Sequence, residues 1–240
     1  IFLSYDIWSS AQLREFAIDT DNYKFSPYEL VIVTTGPNVD IDLRDHPFNP
    51  SKGTFTRINA EYSSPDLGSS RTIQYLRAMG SFTHYKTVWK PGWVFANSMR
   101  GGYLRNLSTV GGVPYDQKGL VLGGQSTIRG FLPTESFPNS YEFGTNQYTL
   151  KHSASMYLIK SELRFPITGA VGGAFFYDGG AVFVVGDNLN MPDPYRHAVG
   201  GALRYATPVG AVSLELGYKL NQKEVRRESQ WPIFFSIGTF

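Results

Sequence analysis

Apolar and polar residues alternate with a period of two along almost the whole chain, and no helical stripe interrupts them. Thr56, Ile58, Ala60 and Tyr62 share one parity; Arg57, Asn59 and Glu61 share the other. Tyr157, Ile159, Leu163 and Phe165 oppose Leu158, Lys160, Glu162 and Arg164. Val212, Leu214, Leu216, Tyr218 and Leu220 alternate without exception with Ser213, Glu215, Gly217, Lys219 and Asn221. The same reasoning predicts one or two strands in residues 1–23 and others around 30–33, 39–43, 73–82, 93–103 and 199–205. It also predicts two strands within 171–185 and a last one over 233–240. A membrane-spanning strand takes about 9–11 residues, so with turns the chain supplies on the order of 12 strands. The expectation is one all-β domain over residues 1–240.

One segment breaks the alternation. Residues 105–150 are rich in turn formers and carry little strand period. Long loops set among regular elements are where function concentrates. Within this one lies Gly123-Gly124-Gln125-Ser126-Thr127-Ile128-Arg129-Gly130-Phe131, with Arg129 its single cation.

Alternation alone does not say which face is wet, because two packed soluble sheets give the same pattern. Three features favour a transmembrane antiparallel β-barrel. The charged faces carry both signs, as in Lys160, Glu162 and Arg164; each Arg or Lys facing lipid near mid-membrane would cost about 2–4 kcal/mol. Aromatic residues gather near strand ends (Tyr62, Tyr85, Trp89, Trp93, Tyr103, Tyr195, Tyr218, Trp231), as interfacial girdles require. The chain ends on Phe240 inside an apolar strand, an edge that a soluble protein would expose to aggregation and a closed barrel removes.

Composition changes the picture little. Lys and Arg number 22 against 20 Asp and Glu, which gives no sign of a nucleic-acid partner. The 15% aromatic content, with 25 Gly and 14 Pro, fits many strands joined by many turns rather than disorder. There is no cysteine, so no disulfide framework and no thiolate metal site. The chain opens on Ile1 without a charged and apolar leader, and a processed or trimmed start is expected. His46, His84, His152 and His197 lack ligand spacing, and neither a nucleophile elbow nor a phosphate-cradling glycine loop is present. Glu162 and Asp178 could be imagined as an acid–base pair, but an enzyme is not the expectation, and neither a cofactor nor a metal is called for.

The specific signals are five motifs in order. Residues 123–131 resemble the conserved loop motif of the outer-membrane assembly-factor superfamily, the barrels of BamA, TamA and the two-partner secretion transporters. In that family a valine or isoleucine precedes Arg-Gly-Phe or Arg-Gly-Tyr. Asp42-Leu43-Arg44-Asp45-His46-Pro47-Phe48-Asn49-Pro50-Ser51-Lys52-Gly53 is similar to the family's early strand-turn signature. Ser161-Glu162-Leu163-Arg164-Phe165-Pro166 resembles the strand after the loop. Phe175-Phe176-Tyr177-Asp178-Gly179-Gly180 resembles the aromatic-Asp-Gly strand, and Ala206-Thr207-Pro208-Val209-Gly210 the hairpin before the penultimate strand.

The resemblance implies a barrel in the bacterial outer membrane with the long loop folded into its lumen. It implies that Gly124, Ile128, Arg129, Gly130 and Phe131 form a latch, with Arg129 reaching Glu162 and Asp178 on the inner wall. It makes Arg44, Asp45, Pro50 and Gly53 the strand-turn motif, and Phe235, Ile237, Gly238 and Phe240 the C-terminal strand signal, here one residue short of the usual spacing. The family's full barrel has more strands than this chain supplies, and it follows receptor (POTRA) domains, of which this chain shows none. Two functions therefore stand side by side: insertion or translocation of outer-membrane polypeptides, with lipid and unfolded protein as partners; or a small receptor-less barrel of structural, porin-like or lipid-organising role, oligomeric in some form.

Overall fold

In the computed structural model, the described residues are all except 1, 8–10, 20–23, 110–112, 115–117, 133–148, 151–152, 186–194, 208–209, 222–230 and 238–240; side chains are described from residue 31 onward, apart from those at 113–114, 149–150, 184–185, 210 and 236–237. They form β1 (Phe2–Ile7), β2 (Ala11–Asp19), β3 (Lys24–Ile32), β4 (Thr34–Thr35), β5 (Pro37–Asp42), β6 (Gly53–Ser63), β7 (Tyr75–Thr87) and β8 (Val94–Asn106). There follow β9 (Val113–Pro114), β10 (Thr149–Leu150), β11 (Ser153–Thr168), β12 (Val171–Val185), β13 (Arg196–Thr207), β14 (Gly210–Lys219) and β15 (Ile233–Ile237). A 3-10 turn, Pro65–Leu67, is capped by the Ser64 hydroxyl and closed by Gly68 in the left-handed conformation.

Eleven strands make one antiparallel sheet in the order β1-β5-β6-β7-β8-β11-β12-β13-β14-β15, with β4 also on β6. Nearly every neighbour in this order is also a neighbour in sequence, the meander that short turns produce. The two exceptions enclose the β2–β3 hairpin and the long segment between β8 and β11. β9 and β10 pair across the mouth of that long segment, Val113 opposite Leu150. Among the described residues β1 and β15 are the two edges of the sheet. The expected alternation thus becomes strands at nearly every predicted place, but the short run at 30–33 forms only the end of β3, and residues 171–185 form the single strand β12 rather than two, because no turn interrupts their pairing with β11.

The two faces of the sheet are inverted relative to a water-soluble core. One face of β8, β11, β12, β13 and β14 presents large apolar side chains to the surroundings, among them Phe95, Met99, Tyr157, Ile159, Phe175, Leu203, Leu214 and Leu216. The opposite parity buries charge: Lys160, Glu162, Arg164, Asp178, Arg204, Glu215 and Lys219. Charged side chains are almost never buried unless paired, and here Glu162, Asp178 and Glu215 are paired with Arg129, Arg164 and Arg204. The sheet curls around them, since side chains from β6, β7, β8, β11, β13 and β14 line one common cavity of about 410 Å³.

The enclosed space has two unlike halves. Toward the end that carries the long connections, Ile32, Ile73, Tyr75, Leu104, Met156, Leu158 and Val182 pack around Leu120, Leu122, Ile128 and Phe131 of the long segment. Toward the end of the short turns the inner wall is polar. The aromatic residues near strand ends do not all behave alike. Trp89 and Trp231 are exposed, and at the β7–β8 turn Trp89 meets Trp93 edge to face while Trp93 stacks on Phe165. Tyr85, by contrast, is buried on the inner face with the Arg164 guanidinium 5.4 Å from its ring centre, because its parity on β7 is that of Ser81 and Thr83. Parity, not nearness to a strand end, decides the side.

Candidate functional site

The segment at 120–132 is built to present Arg129. Gly123 and Gly124 have φ of 112° and 91°, values that side-chain-bearing residues rarely adopt. They allow a closed turn: the Thr127 hydroxyl accepts from Gly123 N–H at 2.7 Å and donates to Gly123 C=O at 2.8 Å. Gly124 N–H donates to Phe131 C=O at 2.6 Å, tying the two ends of the motif together. At Gly130 the backbone lies against the wall. A Cβ there would stand 2.5 Å from the Ala198 Cβ, and one on Gly217 would stand 2.6 Å from the Gly130 Cα. Glycine on both sides of the contact lets loop and strand meet.

Arg129 then meets two carboxylates from adjacent strands. Its Nε and Nη2 donate to Asp178 Oδ2 and Oδ1 at 2.7 and 2.9 Å, a bidentate pairing of the geometry that suits guanidinium and carboxylate. Its backbone N–H adds a third bond to Asp178 Oδ2 at 3.0 Å. Nη1 donates to Glu162 Oε2 at 2.6 Å and stands 3.7 Å from Glu215 Oε1. The guanidinium lies 3.7 Å above the centre of the Phe176 ring. Phe176 can lie there because its cross-strand neighbour is Gly200, where a Cβ would come 2.3 Å from the ring. Arg129, Glu162 and Asp178 are each 1% exposed or less.

Sequence reasoning had not placed Arg164 and Arg204 in this site. Arg164 Nε and Arg204 Nη1 both donate to Glu162 Oε1, at 2.8 and 2.7 Å. Glu162 is therefore the shared acceptor of three guanidiniums from a loop and two strands. The inward parity of Arg164 was legible beside Glu162, two residues away on one strand. The position of Arg204 depends on the register of β12 and β13, which one sequence does not state. Ile128 and Phe131 flank Arg129 and are fully buried, and the Phe131 ring lies between the cations of Lys219 and Arg196, 5.1 and 5.4 Å from its centre.

The early motif forms a separate, tightly bonded turn between β5 and β6. Arg44 holds Asp42 through Nε and Nη2 at 2.8 and 2.6 Å, reaches Pro47 C=O at 3.1 Å, and lies over Phe55. Asp45 accepts from Ser51 N–H at 2.8 Å, Lys52 N–H at 3.1 Å and the Ser51 hydroxyl at 2.5 Å. Partial burial would raise the Asp45 carboxyl, but these bonds outweigh it and hold the group below its ordinary range. Pro50 is buried, and Gly53, at φ 101°, sits where a Cβ would stand 2.1 Å from Leu43 C=O. Of the C-terminal signal, Phe235 lies opposite Leu214 and Ile237 opposite Val212, and Phe235 is exposed on the apolar face. Gly238 and Phe240 lie outside the described residues.

The model of the Omp85 superfamily domain matches residues 30–240. The chain belongs to this superfamily. An outer membrane protein assembly factor BamA from Nitratidesulfovibrio vulgaris is 22% identical over 203 residues, which cover 83% of this chain and 24% of that protein. A crystal structure of BamA from Haemophilus ducreyi lacking POTRA domains 1–3 matches with a TM-score of 0.69 at 20% identity, covering 94% of this chain and 46% of that one. This likeness extends to the fold: an antiparallel multi-stranded sheet of the BamA barrel type. The chain thus spans less than half the length of the relatives it matches. In the site Glu162 and Asp178 are both bound by Arg129, and Glu162 also by Arg164 and Arg204.

Proposed function

We propose that residues 1–240 form one transmembrane barrel domain of the bacterial outer membrane, with the 105–150 segment folded into the lumen, and that this barrel assists insertion or translocation of polypeptides. The observation that carries the reading is the inverted sheet: apolar outside, charge-paired inside, with the Arg129 loop anchored by ion pairs to the inner wall. Lipid is the outer partner that such a face fits. By the usual asymmetry of these barrels, the short turns after β5, β7, β11 and β13 face the periplasm and the long connections face outward.

In this reading the Arg129 loop is a latch. Fixing one loop to strands β11, β12 and β14 holds the lumen in one shape while the sheet edges remain free to act. Among the described residues, β15 pairs with β14 through five residues. An unfilled edge at β15 would template an incoming strand through backbone hydrogen bonds. The test is to place the full-length protein in liposomes and follow folding of a urea-denatured outer-membrane barrel. Faster folding than in empty liposomes, suppressed by a disulfide locking β1 to β15, is the expected result. Equal rates with and without an intact barrel would refute the insertion reading and favour a structural barrel.

A further inference from the structure

The polar half of the lumen carries more positive charge than its own carboxylates neutralise. Six of the side chains lining the 410 Å³ cavity are cationic and two are acidic. The excess is not spread evenly. Arg129 is held by Asp178 and Glu162, Arg204 by Glu162, and Arg44 by Asp42. What stands apart from that network is the wall formed by β6, β7 and β8.

On this wall Arg57, Ser81 and Arg100 occupy one row. Arg57 lies directly opposite Ser81, and Ser81 directly opposite Arg100. Directly opposed residues share a face of the sheet, so all three point inward. With neighbouring strands about 4.8 Å apart, the two arginine backbones flank the serine at a separation of roughly 10 Å. The next inward row toward Arg129 continues with Thr83, Ser98 and Lys160, again directly opposed in register. The hydroxyls of Thr83 and Ser98 touch at 3.0 Å. The wall offers two guanidiniums and three hydroxyls as donors, and the Lys160 ammonium of neighbouring β11 borders it.

Its one acid, Glu61 on β6, is already engaged by two cations. Neither β7 nor β8 includes an aspartate or glutamate. The nearest carboxylates on the other side are engaged. Asp40 is held by Arg57 itself at 2.6 and 2.7 Å, and Glu61 by Arg77 and Lys118 at 3.2 and 3.0 Å. Arg100 has no carboxylate partner among the described residues. The Arg57 side chain, though on the inner face and paired on one side, keeps 54% of its surface accessible. Arg57, Ser81 and Arg100 also line a second cavity of about 570 Å³ on the side of Asn38, Asn59 and Glu61. The row is therefore a ledge between two cavities and lines both.

We propose that this ledge is an oxyanion-binding site, with Arg57 and Arg100 as its two arms and Ser81 between them, and that its ligand is a phosphate group. Planar guanidiniums set apart in this way match the several oxygens of a phosphate better than a spherical halide. A partly enclosed site strengthens each contact relative to bulk water. The phosphate reaches the ledge either as the free ion or carried on a lipid headgroup that enters from a sheet edge. The site depends only on the curled sheet, so it stands or falls independently of polypeptide insertion.

The experiment uses the full chain folded in an uncharged maltoside detergent. Inorganic phosphate and dihexanoyl phosphatidic acid are titrated separately by calorimetry and by ³¹P line broadening. Expected is binding to the unaltered protein that weakens about tenfold or more in Arg100→Gln and in Arg57→Gln, since each removes a charge-assisted pair of bonds. Lys86→Gln, on the outward parity of the same wall, keeps full affinity. Arg100→Gln removes a cation that holds no carboxylate among the described residues, so heat-modified gel mobility should stay that of the folded protein. Binding of inorganic phosphate with this arginine dependence identifies the free ion; binding of phosphatidic acid alone with the same dependence identifies the headgroup. No binding of either probe, or equal binding in Arg100→Gln, overturns the proposal.

Discussion

Replacing Glu162 by glutamine should be among the most damaging conservative changes in the chain. The substitution keeps the shape of the side chain and removes one charge. Glu162 accepts hydrogen bonds from Arg129, Arg164 and Arg204 at 2.6, 2.8 and 2.7 Å and is 1% exposed. A hydrogen bond to a charged partner contributes about 1.5–3 kcal/mol, but the three are not additive, because released guanidiniums can turn toward the cavity. A glutamine amide also presents its NH2 group to at least one arginine donor, which replaces an attraction by a clash of donors. The net expectation is a loss of about 3–5 kcal/mol, the range for a buried charge network that loses one member. Urea unfolding of the full chain in lipid vesicles, read by tryptophan fluorescence, measures it. Arg129→Ala alone should cost a similar amount, since it strands the buried Asp178 as well. Because both changes dismantle one network, the double variant should fall short of the sum by about 1–3 kcal/mol. A loss below about 1 kcal/mol for Glu162→Gln, or additivity within about 0.5 kcal/mol, would refute the shared-acceptor argument.

The same logic extends to other positions. Gly217→Ala should push the loop off β14, because its Cβ would meet the Gly130 backbone at 2.6 to 2.7 Å; faster tryptic cleavage within residues 105–150 is the readout, and unchanged protection would count against the close contact. Leu214→Arg on the outer face should destabilise the barrel in vesicles by about 2–4 kcal/mol while Leu214→Tyr costs little; equal effects would mean that this face does not meet lipid. Asp45→Asn should loosen the β5–β6 turn by about 1 kcal/mol. Its carboxyl is held below the ordinary value, so the turn is fully stabilised above the unfolded-state pKa and loses that contribution as pH falls through the lower folded-state one. Amide exchange at Ser51 and Lys52, whose N–H groups bond to Asp45, should therefore quicken in acid, and in Asp45→Asn should be faster than in the unaltered protein at neutral pH.

Period-two alternation was enough to state the faces of most strands, because a strand's parity is a local property that each residue inherits from its neighbour. Thr56 and Ile58 against Arg57, and Leu214 and Leu216 against Glu215, needed no knowledge of the partner strand. Function in this fold depends on something alternation does not carry, namely which inward residues of different strands fall in the same row. Glu162 and Arg164 are two residues apart and were legible together, whereas Arg204, 42 positions away from Glu162, reaches it only through the registers of β11 on β12 and β12 on β13. Tyr85 marks the same limit from the other side: its place near a strand end suggested the interface with lipid, and its parity turned it inward beneath Arg164. The row Arg57, Ser81 and Arg100 follows the same rule. Each residue is unremarked in its own strand, and only the ladders β6–β7 and β7–β8 bring two arginines to either side of one hydroxyl. A single-residue slip of β7 would turn Ser81 and Thr83 outward and bring Gly80 and Phe82 into the lumen, so the donor wall and the apolar outer face are fixed by one register. The feature that keeps that register is the outer apolar set of β7, including Leu76 and Phe82, which a slip would bury among charges. The lipid-facing pattern and the luminal chemistry are thus two readings of the same constraint.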